Sequence, residues 1–297
     1  MNGITRRSFL GGAALLAAGC ATGTRGGGGG VRFGVRTSFP PAMKDLRERA
    51  ELLKKLGYDG IELGSEFLGV TVDSIREKLA GTGIAVSAIV GSIRLLAPGP
   101  EDRKAGVELT RARLGMAKAL GAAGVIEVPT FGSCKFPETA GKPSPHEHED
   151  RLLADGLAQL APDLERTGVP VLLEPLTKKE THYMNLQSHG ARILGMSAPG
   201  RVRLLSDFYH MQLEEADIGR TLAEHGAHTA YVHLADGEAR TRPGSLPFDY
   251  RPGFRSLKRH GFSGWLTMEF RLAKDGEDAP TALARGLEYM RKQWDEA

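Results

Sequence analysis

The sequence predicts a closed (β/α)8 barrel, and three observations carry that reading. From Val31 onward, short apolar runs alternate with longer amphipathic stretches, the pattern of βα units wound around a parallel sheet. A Gly-x-x-Gly junction recurs at Gly57-Tyr58-Asp59-Gly60, Gly121-Ala122-Ala123-Gly124 and Gly261-Phe262-Ser263-Gly264. Each pair caps a helix and turns the chain sharply into the next strand, a weak internal repeat. Finally, no Gly-x-Gly-x-x-Gly follows the first apolar run, so the signature of an open nucleotide-binding sheet is missing.

The elements follow in order. Val31–Val35 reads as the first strand, and Leu46, Ala50, Leu53 and Leu56 share one face of the helix behind it. Ile61-Glu62-Leu63 is the second strand, Val72–Leu79 a short helix, Ile84–Val90 the third strand, Leu109–Leu120 a long helix and Val125–Val128 the fourth strand. Lys135–Asp150, rich in Pro, Gly, His and charge, reads as a long loop forming a lid over the barrel mouth, with His146 and His148 as solvated loop residues. A helix over Leu152–Leu164 leads to strand Val169–Leu173, which ends at Glu174. Helix Asn185–Leu194 leads to strand Val202–Leu205, ending at Asp207, and helix Ile218–His225 leads to strand Thr229–Val232, ending at His233. Helix Tyr250–His260, strand Trp265–Met268 with Glu269 at its end, and helix Thr281–Trp294 complete the count of eight strands.

A chain of 297 residues, 41% hydrophobic and 25% charged, is long enough to bury one large barrel core. Its start reads as an address. Thr5-Arg6-Arg7-Ser8-Phe9-Leu10 precedes the small apolar run Gly11–Ala18, which is too short for a permanent membrane span, and the paired arginines resemble a twin-arginine export signal. Leu16-Ala17-Ala18-Gly19-Cys20 resembles a lipoprotein processing box in which Cys20 becomes the lipidated first residue. The expected organisation is therefore a signal over 1–20, a glycine-rich tether over 21–30 and a barrel over 31–297. The protein is expected on the extracytoplasmic, periplasmic side, meeting the membrane only through a lipid anchor. Removing Arg6 and Arg7 lowers the net charge from +3 to +1, which gives no electrostatic case for nucleic acid. With Cys20 modified, only Cys134 remains, so no internal disulfide is expected, and Cys134 reads as a loop thiol without a role. A homo-oligomer stays open on these grounds.

The chemistry gathers at strand ends. A barrel converges the carboxyl ends of its strands on one axis, and strands five to eight end in Glu174, Asp207, His233 and Glu269, with His210 one turn beyond Asp207. Three carboxylates and an imidazole around one point repel each other unless a cation lies between them, which implies a divalent metal. Oxygen and nitrogen donors without a thiolate admit Mn²⁺, Mg²⁺, Co²⁺ or Zn²⁺. Each residue alone has a structural alternative: Glu174 paired with Arg203 or Lys178, His233 as a satisfied barrel histidine, Glu269 as a helix cap. Glu127, at the end of the fourth strand, faces either the pocket or a helix.

Leu173-Glu174-Pro175-Leu176 with Glu180-Thr181-His182, then Asp207-Phe208-Tyr209-His210-Met211, then His233-Leu234-Ala235-Asp236 with Arg240 and Pro243-Gly244, and last Glu269, resemble the sugar isomerase and epimerase family with the xylose isomerase-like TIM barrel. The nearest pattern is that of the ketose 3-epimerases. The resemblance implies one divalent metal on Glu174, Asp207, His233 and Glu269, with Glu174 and Glu269 also acting as the acid/base pair. It further implies substrate contacts from Glu180, His210 and Arg240, and epimerisation of a small sugar through an enediolate. Proton removal by one glutamate and return by the other from the opposite face suits that chemistry. The chain departs from the family pattern at Thr177-Lys178-Lys179 and at Gly237-Glu238-Ala239-Arg240, where Arg240 lies one place further from His233. Both departures touch substrate positions rather than the metal set.

Two further activities belong to related barrels. An apurinic-site endonuclease needs extra histidines after the third and fourth strands, where this chain has Val90-Gly91-Ser92 and Pro129-Thr130-Phe131. A lyase or hydrolase acting on 3-keto-glycosides would use the same metal and enolate, and is the alternative reading. A non-catalytic sugar-binding lipoprotein would have no need of both Glu174 and Glu269.

Overall fold

The computed structural model describes residues 30–67, 69–136, 145–197, 200–272 and 276–297. Eight parallel strands close into a barrel in sequence order: β1 (Arg32–Val35), β2 (Gly60–Leu63), β3 (Ala85–Val90), β4 (Val125–Glu127), β5 (Val171–Leu173), β6 (Val202–Asp207), β7 (Thr229–Leu234) and β8 (Trp265–Met268). Closure runs through β1 and β8, with Arg32 level with Trp265 and Val35 with Met268. Outside lie α1 (Leu46–Leu56), α2 (Val72–Leu79), α3 (Pro100–Leu120), α4 (Pro145–Gln159), α5 (Ala161–Thr167), α6 (Gln187–Met196), α7 (Phe208–Glu214), α8 (Ile218–His225), α9 (Arg251–Arg259) and α10 (Ala279–Asp295). The (β/α)8 fold expected from the sequence is the fold observed.

Three expectations are corrected. The loop expected over Lys135–Asp150 is helical from Pro145 onward, so His146 and His148 are residues of α4. The lid expectation rests largely on residues 137–144, which lie outside the described residues. The single helix expected over Leu152–Leu164 is instead the end of α4 followed by α5, where Pro162 in the first turn starts a new helix rather than continuing the old one. Helix α3 begins at Pro100, well before Leu109, because Pro100 opens it and Glu101 and Asp102 complement its N-terminal dipole. The expected signal, tether and lipidated Cys20 lie outside the described residues apart from Gly30. Among the described residues no helix is long and apolar enough to cross a membrane.

The core has two shells. Between sheet and helices lies the larger one, including Val35, Leu63, Leu114, Leu157, Phe208, Phe254 and Leu287, all buried. Inside the barrel, Ala88, Ile126, Leu172, Leu205, Tyr231 and Trp265 pack across the axis. Side chains alternate along a strand, so the residue two places beyond an axial one returns to the axis nearer the mouth. Leu172 is thus followed by Glu174, Leu205 by Asp207, and Tyr231 by His233. Trp265 needs space. A Cβ on Gly60 would lie 2.5 Å from the indole, and one on Gly34 would lie 2.9 Å from Thr267 Oγ1. Two places beyond those glycines come Glu62 and Arg36, which the same alternation carries into the mouth.

Candidate metal centre

Glu174, Asp207, His233 and Glu269 converge as their strand-end positions require. One donor atom from each lies within 4.8 Å of every other. Asp207 and His233 are directly level in the β6–β7 register. Glu174 and Glu269 each stand one residue beyond a strand, their amides bonded to the Glu127 and Leu234 carbonyls at 3.1 Å. The structural alternatives for Glu174 and Glu269 fall away: Lys178 pairs with Glu214, Arg203 donates to the Ala227 carbonyl, and Asp278 caps α10.

His233 organises the centre. Its Nε2 faces Glu62 Oε2 at 2.7 Å, while Nδ1 faces Glu269 Oε2 at 2.7 Å and Glu174 Oε1 at 3.3 Å. Both ring nitrogens thus face carboxylates; with an ion bound, Nε2–H would donate to Glu62 and the Nδ1 lone pair would be presented to the site. Burial alone would depress the imidazole's pKa, but Glu269 and Glu62 raise it well above the ordinary histidine value. Burial would likewise raise Glu269, yet His233, Arg240 and Arg36 hold it well below the usual carboxylate range. Asp207 is shifted upward by its burial, against the pull of Arg240.

Asp207 divides its oxygens. Oδ1 accepts the Tyr209 amide at 2.8 Å, capping α7, and Oδ2 faces the mouth, where Arg240 Nη2 donates to it at 2.8 Å. The short helix α7 was not expected from the sequence, and this cap explains it, because the carboxylate satisfies one of the helix's free amides. The helix carries His210 back toward the axis. Thr177 N donates to His210 Nδ1 at 3.0 Å, which leaves the proton on Nε2. That Nε2 is buried without a hydrogen-bond partner among the described residues, 3.4 Å from Asp207 Oδ2. Burial lowers the ring's pKa to about 4, so it is a neutral donor.

Arg240 arrives on a loop closed by paired backbone bonds between Asp236 and Thr241, both 2.9 Å. The loop turns through left-handed conformations at Gly237 and Arg240, with φ of 56° and 53°. The guanidinium lies 4.6 Å over the Tyr209 ring, 2.7 Å from Glu269 Oε2 and 3.9 Å from Glu180 Oε1. All seven residues expected at the site therefore meet at one mouth. Two more belong with them: Glu62, and Arg36, which donates to Glu62 at 2.5 Å and to Glu269 at 2.9 Å. The signal for Glu62 was present as a lone charge in the apolar strand Ile61-Glu62-Leu63, with the parity of Gly60. Glu127 has the opposite parity. Its Oε1 accepts from Thr110 of α3 at 2.6 Å and from Ser92 N at 2.8 Å, so it faces the helix.

The donor set fits a divalent cation, and one atom supports the fit independently. Glu269 Oε2 is buried within ion-pair distance of two cationic groups, yet no donor among the described residues is aligned to hydrogen-bond it. Its two neighbours offset part of its charge, and a cation bound there would supply the aligned partner it lacks.

The sequence pattern described as Xylose isomerase-like TIM barrel matches residues 50–293. The chain belongs to that family. Within this sugar epimerase and isomerase family it is 25% identical over 253 residues to the 3-dehydro-D-guloside 4-epimerase of Escherichia coli strain K12, covering 84% of this chain and 95% of that protein. It is 22% identical over 251 residues to the L-ribulose 3-epimerase of Mesorhizobium japonicum, covering 80% and 81%. Among solved structures, the apo 3-keto-D-glucoside 4-epimerase from E. coli superposes with a TM-score of 0.77 at 23% identity, covering 88% of this chain and 99% of that one. That likeness places this chain's barrel among the family's folds.

Proposed function

We propose that this protein is a divalent-metal-dependent epimerase that inverts a carbinol carbon next to the ketone of a keto-sugar. Glu174, Asp207, His233 and Glu269 are the metal ligands in this reading, and Glu174 and Glu269 are the acid/base pair. The observation that carries it is the approach of two carboxylates to the same His233 nitrogen from β5 and β8, three strands apart on the ring. Groups reaching in from different sides can serve opposite faces of one carbon. The 4-epimerase and 3-epimerase relatives share this chemistry, since a 3-dehydro sugar inverted at C4 and a 2-ketose inverted at C3 both change the carbon beside the carbonyl.

When bound, the ion supplies Lewis-acid polarisation of sugar oxygens and so acidifies the adjacent C–H. Glu269, kept ionised by His233, Arg240 and Arg36, would accept the proton, and Glu174 would return one from the other side. His210 Nε2–H donates to a sugar oxygen, and Arg240 and Glu180 orient the hydroxyls above Tyr209. We further propose export and anchoring through Cys20, which fractionation of cells expressing the full chain and its Cys20→Ser variant would test.

The reaction is tested by incubating the metal-loaded protein in deuterated water with ketoses and 3-keto-glycosides. Carbon-bound deuterium with inversion supports the epimerase. Aglycone release would instead establish the lyase, and binding without exchange on any substrate would sink both.

A further inference from the structure

Outside the barrel centre, two neighbouring carboxylates at the start of α4 differ in how they are satisfied. Asp150 receives Tyr183 OH and His189 Nε2, both at 2.7 Å, and pairs with Arg192. Every direction around it is answered. Glu149 is equally buried, at 1% exposure, but only Oε1 has a close partner, His182 Nε2 at 2.7 Å. Its Oε2 has no hydrogen-bond partner among the described residues, and the nearest ring nitrogen recorded is His146 Nδ1 at 4.0 Å. Such an oxygen invites a cation.

The histidine opposite it is arranged for one. His182 Nδ1 lies 3.0 Å from the Gly132 carbonyl, which can only accept, so Nδ1 carries the proton. In the neutral ring that leaves the Nε2 lone pair facing the Glu149 carboxylate. At 2.7 Å the two are in hydrogen-bond contact through a second proton, which a metal ion binding both would displace. A proton would satisfy Oε1 and leave Oε2 stranded. A backbone carbonyl on the far ring nitrogen is also the usual outer support of a metal-ligating histidine. The third donor is a thiol: Cys134 Sγ, Glu149 and His182 each offer an atom within 4.8 Å of the others. Cys134 is otherwise exposed, and among the described residues it is engaged only in a 3.5 Å contact to the Phe136 carbonyl.

We propose that Cys134, Glu149 and His182 form a second metal site, separate from the barrel centre and suited to zinc. The sulfur, imidazole and carboxylate set is one that zinc accepts, whereas magnesium and calcium prefer oxygen alone. His146 lies beside this set, its Nδ1 4.0 Å from Glu149 Oε2. The site would clip the segment after β4 to the segment after β5. Those segments already meet at Gly132, whose amide donates to the Glu180 carbonyl at 2.8 Å while its own carbonyl accepts the His182 amide at 3.0 Å. A metal there would hold Glu180, two residues from His182, at the barrel mouth.

The test uses cobalt as a spectroscopic stand-in for zinc on the full chain. The barrel centre has no sulfur, so a thiolate-to-cobalt charge-transfer band can arise only from a cysteine site. The expected result is a band that saturates within two metal equivalents in the parent and at one in Asp207→Asn, and that disappears in Cys134→Ser and Glu149→Gln. Zinc should also slow alkylation of Cys134 by roughly tenfold or more, since the bound thiolate is no longer free to attack. Because Cys134 is exposed, its replacement leaves the fold intact, and Asp207→Asn separates failure of this site from failure of the barrel reading. A cobalt-loaded protein without the band, or one whose band survives Cys134→Ser, would overturn the proposal, as would alkylation of Cys134 at an unchanged rate in zinc.

Discussion

Glu127 and Glu174 end neighbouring strands, and the amide of one bonds the carbonyl of the other, yet they meet opposite surroundings. Glu174 follows the axial Leu172 by two residues and joins three other donors at the barrel mouth. Glu127 follows the axial Ile126 by one, so it turns outward beneath α3. A Cβ on Gly91 would lie 2.0 Å from its Oε1, so the bare glycine makes room for the carboxylate. Glu174 has cationic neighbours and an imidazole partner, whereas Glu127 has a hydroxyl and an amide, and burial pushes its pKa up to about 8. One residue of parity separates a group placed for proton transfer from one placed in the packing.

That contrast can be tested from both sides. The largest effect is expected from Asp207→Asn, which removes charge from the mouth without changing shape. Metal affinity should fall by more than the roughly 10–100-fold typical of losing an outer-shell partner, and turnover with it, as read by metal titration. For His210→Gln we expect about a 100-fold loss of turnover while the metal content stays unchanged, since only a donor to developing charge is removed. Glu62→Gln should weaken metal binding by about 10–100-fold through the lost hold on the His233 tautomer, with less effect on turnover at saturating metal. Metal loss in His210→Gln, or unaltered affinity in Glu62→Gln, would reverse the division of labour between these residues.

The smallest effect belongs to Glu127 and is one of stability. Its folded-state pKa of about 8 lies above the ordinary 4.5, so between those values the folded chain keeps a proton that the unfolded chain releases. Stability from this group is therefore full below the unfolded value and declines as pH rises through the folded one. Glu127→Gln carries no such proton. Its stability relative to the parent should improve by up to ~4 kcal/mol between about pH 5 and about pH 8 in urea unfolding. A pH-independent difference would show that burial does not set the Glu127 titration.

Much of this was legible before the fold was known. Apolar runs and helix periodicity located every strand to within two residues, because parallel barrel strands are buried on both faces and stand out. Glu174, Asp207, His233 and Glu269 were visible as strand-end polar residues, and the resemblance supplied Glu180, His210 and Arg240. Glu62 and Arg36 were not assigned. Their place depends on parity relative to Gly60 and Gly34, which sit against Trp265 and Thr267, and that packing is not readable from a short strand. Helix α7 was missed because its start depends on the side chain of Asp207 rather than on an apolar repeat. The start of α4 was missed for a different reason: Pro145 and the histidines after it read as loop composition, although proline is well suited to a first helical turn.

The central claim is that Glu174 transfers a proton at carbon and Glu127 does not. It is tested most directly by following carbon-bound deuterium in keto-sugar incubated with Glu174→Gln and Glu127→Gln proteins, each first shown by metal analysis to retain its ion. The account predicts exchange close to the parent's in Glu127→Gln, and a loss of about 100-fold or more in Glu174→Gln. Parent-like exchange in metal-loaded Glu174→Gln would contradict it.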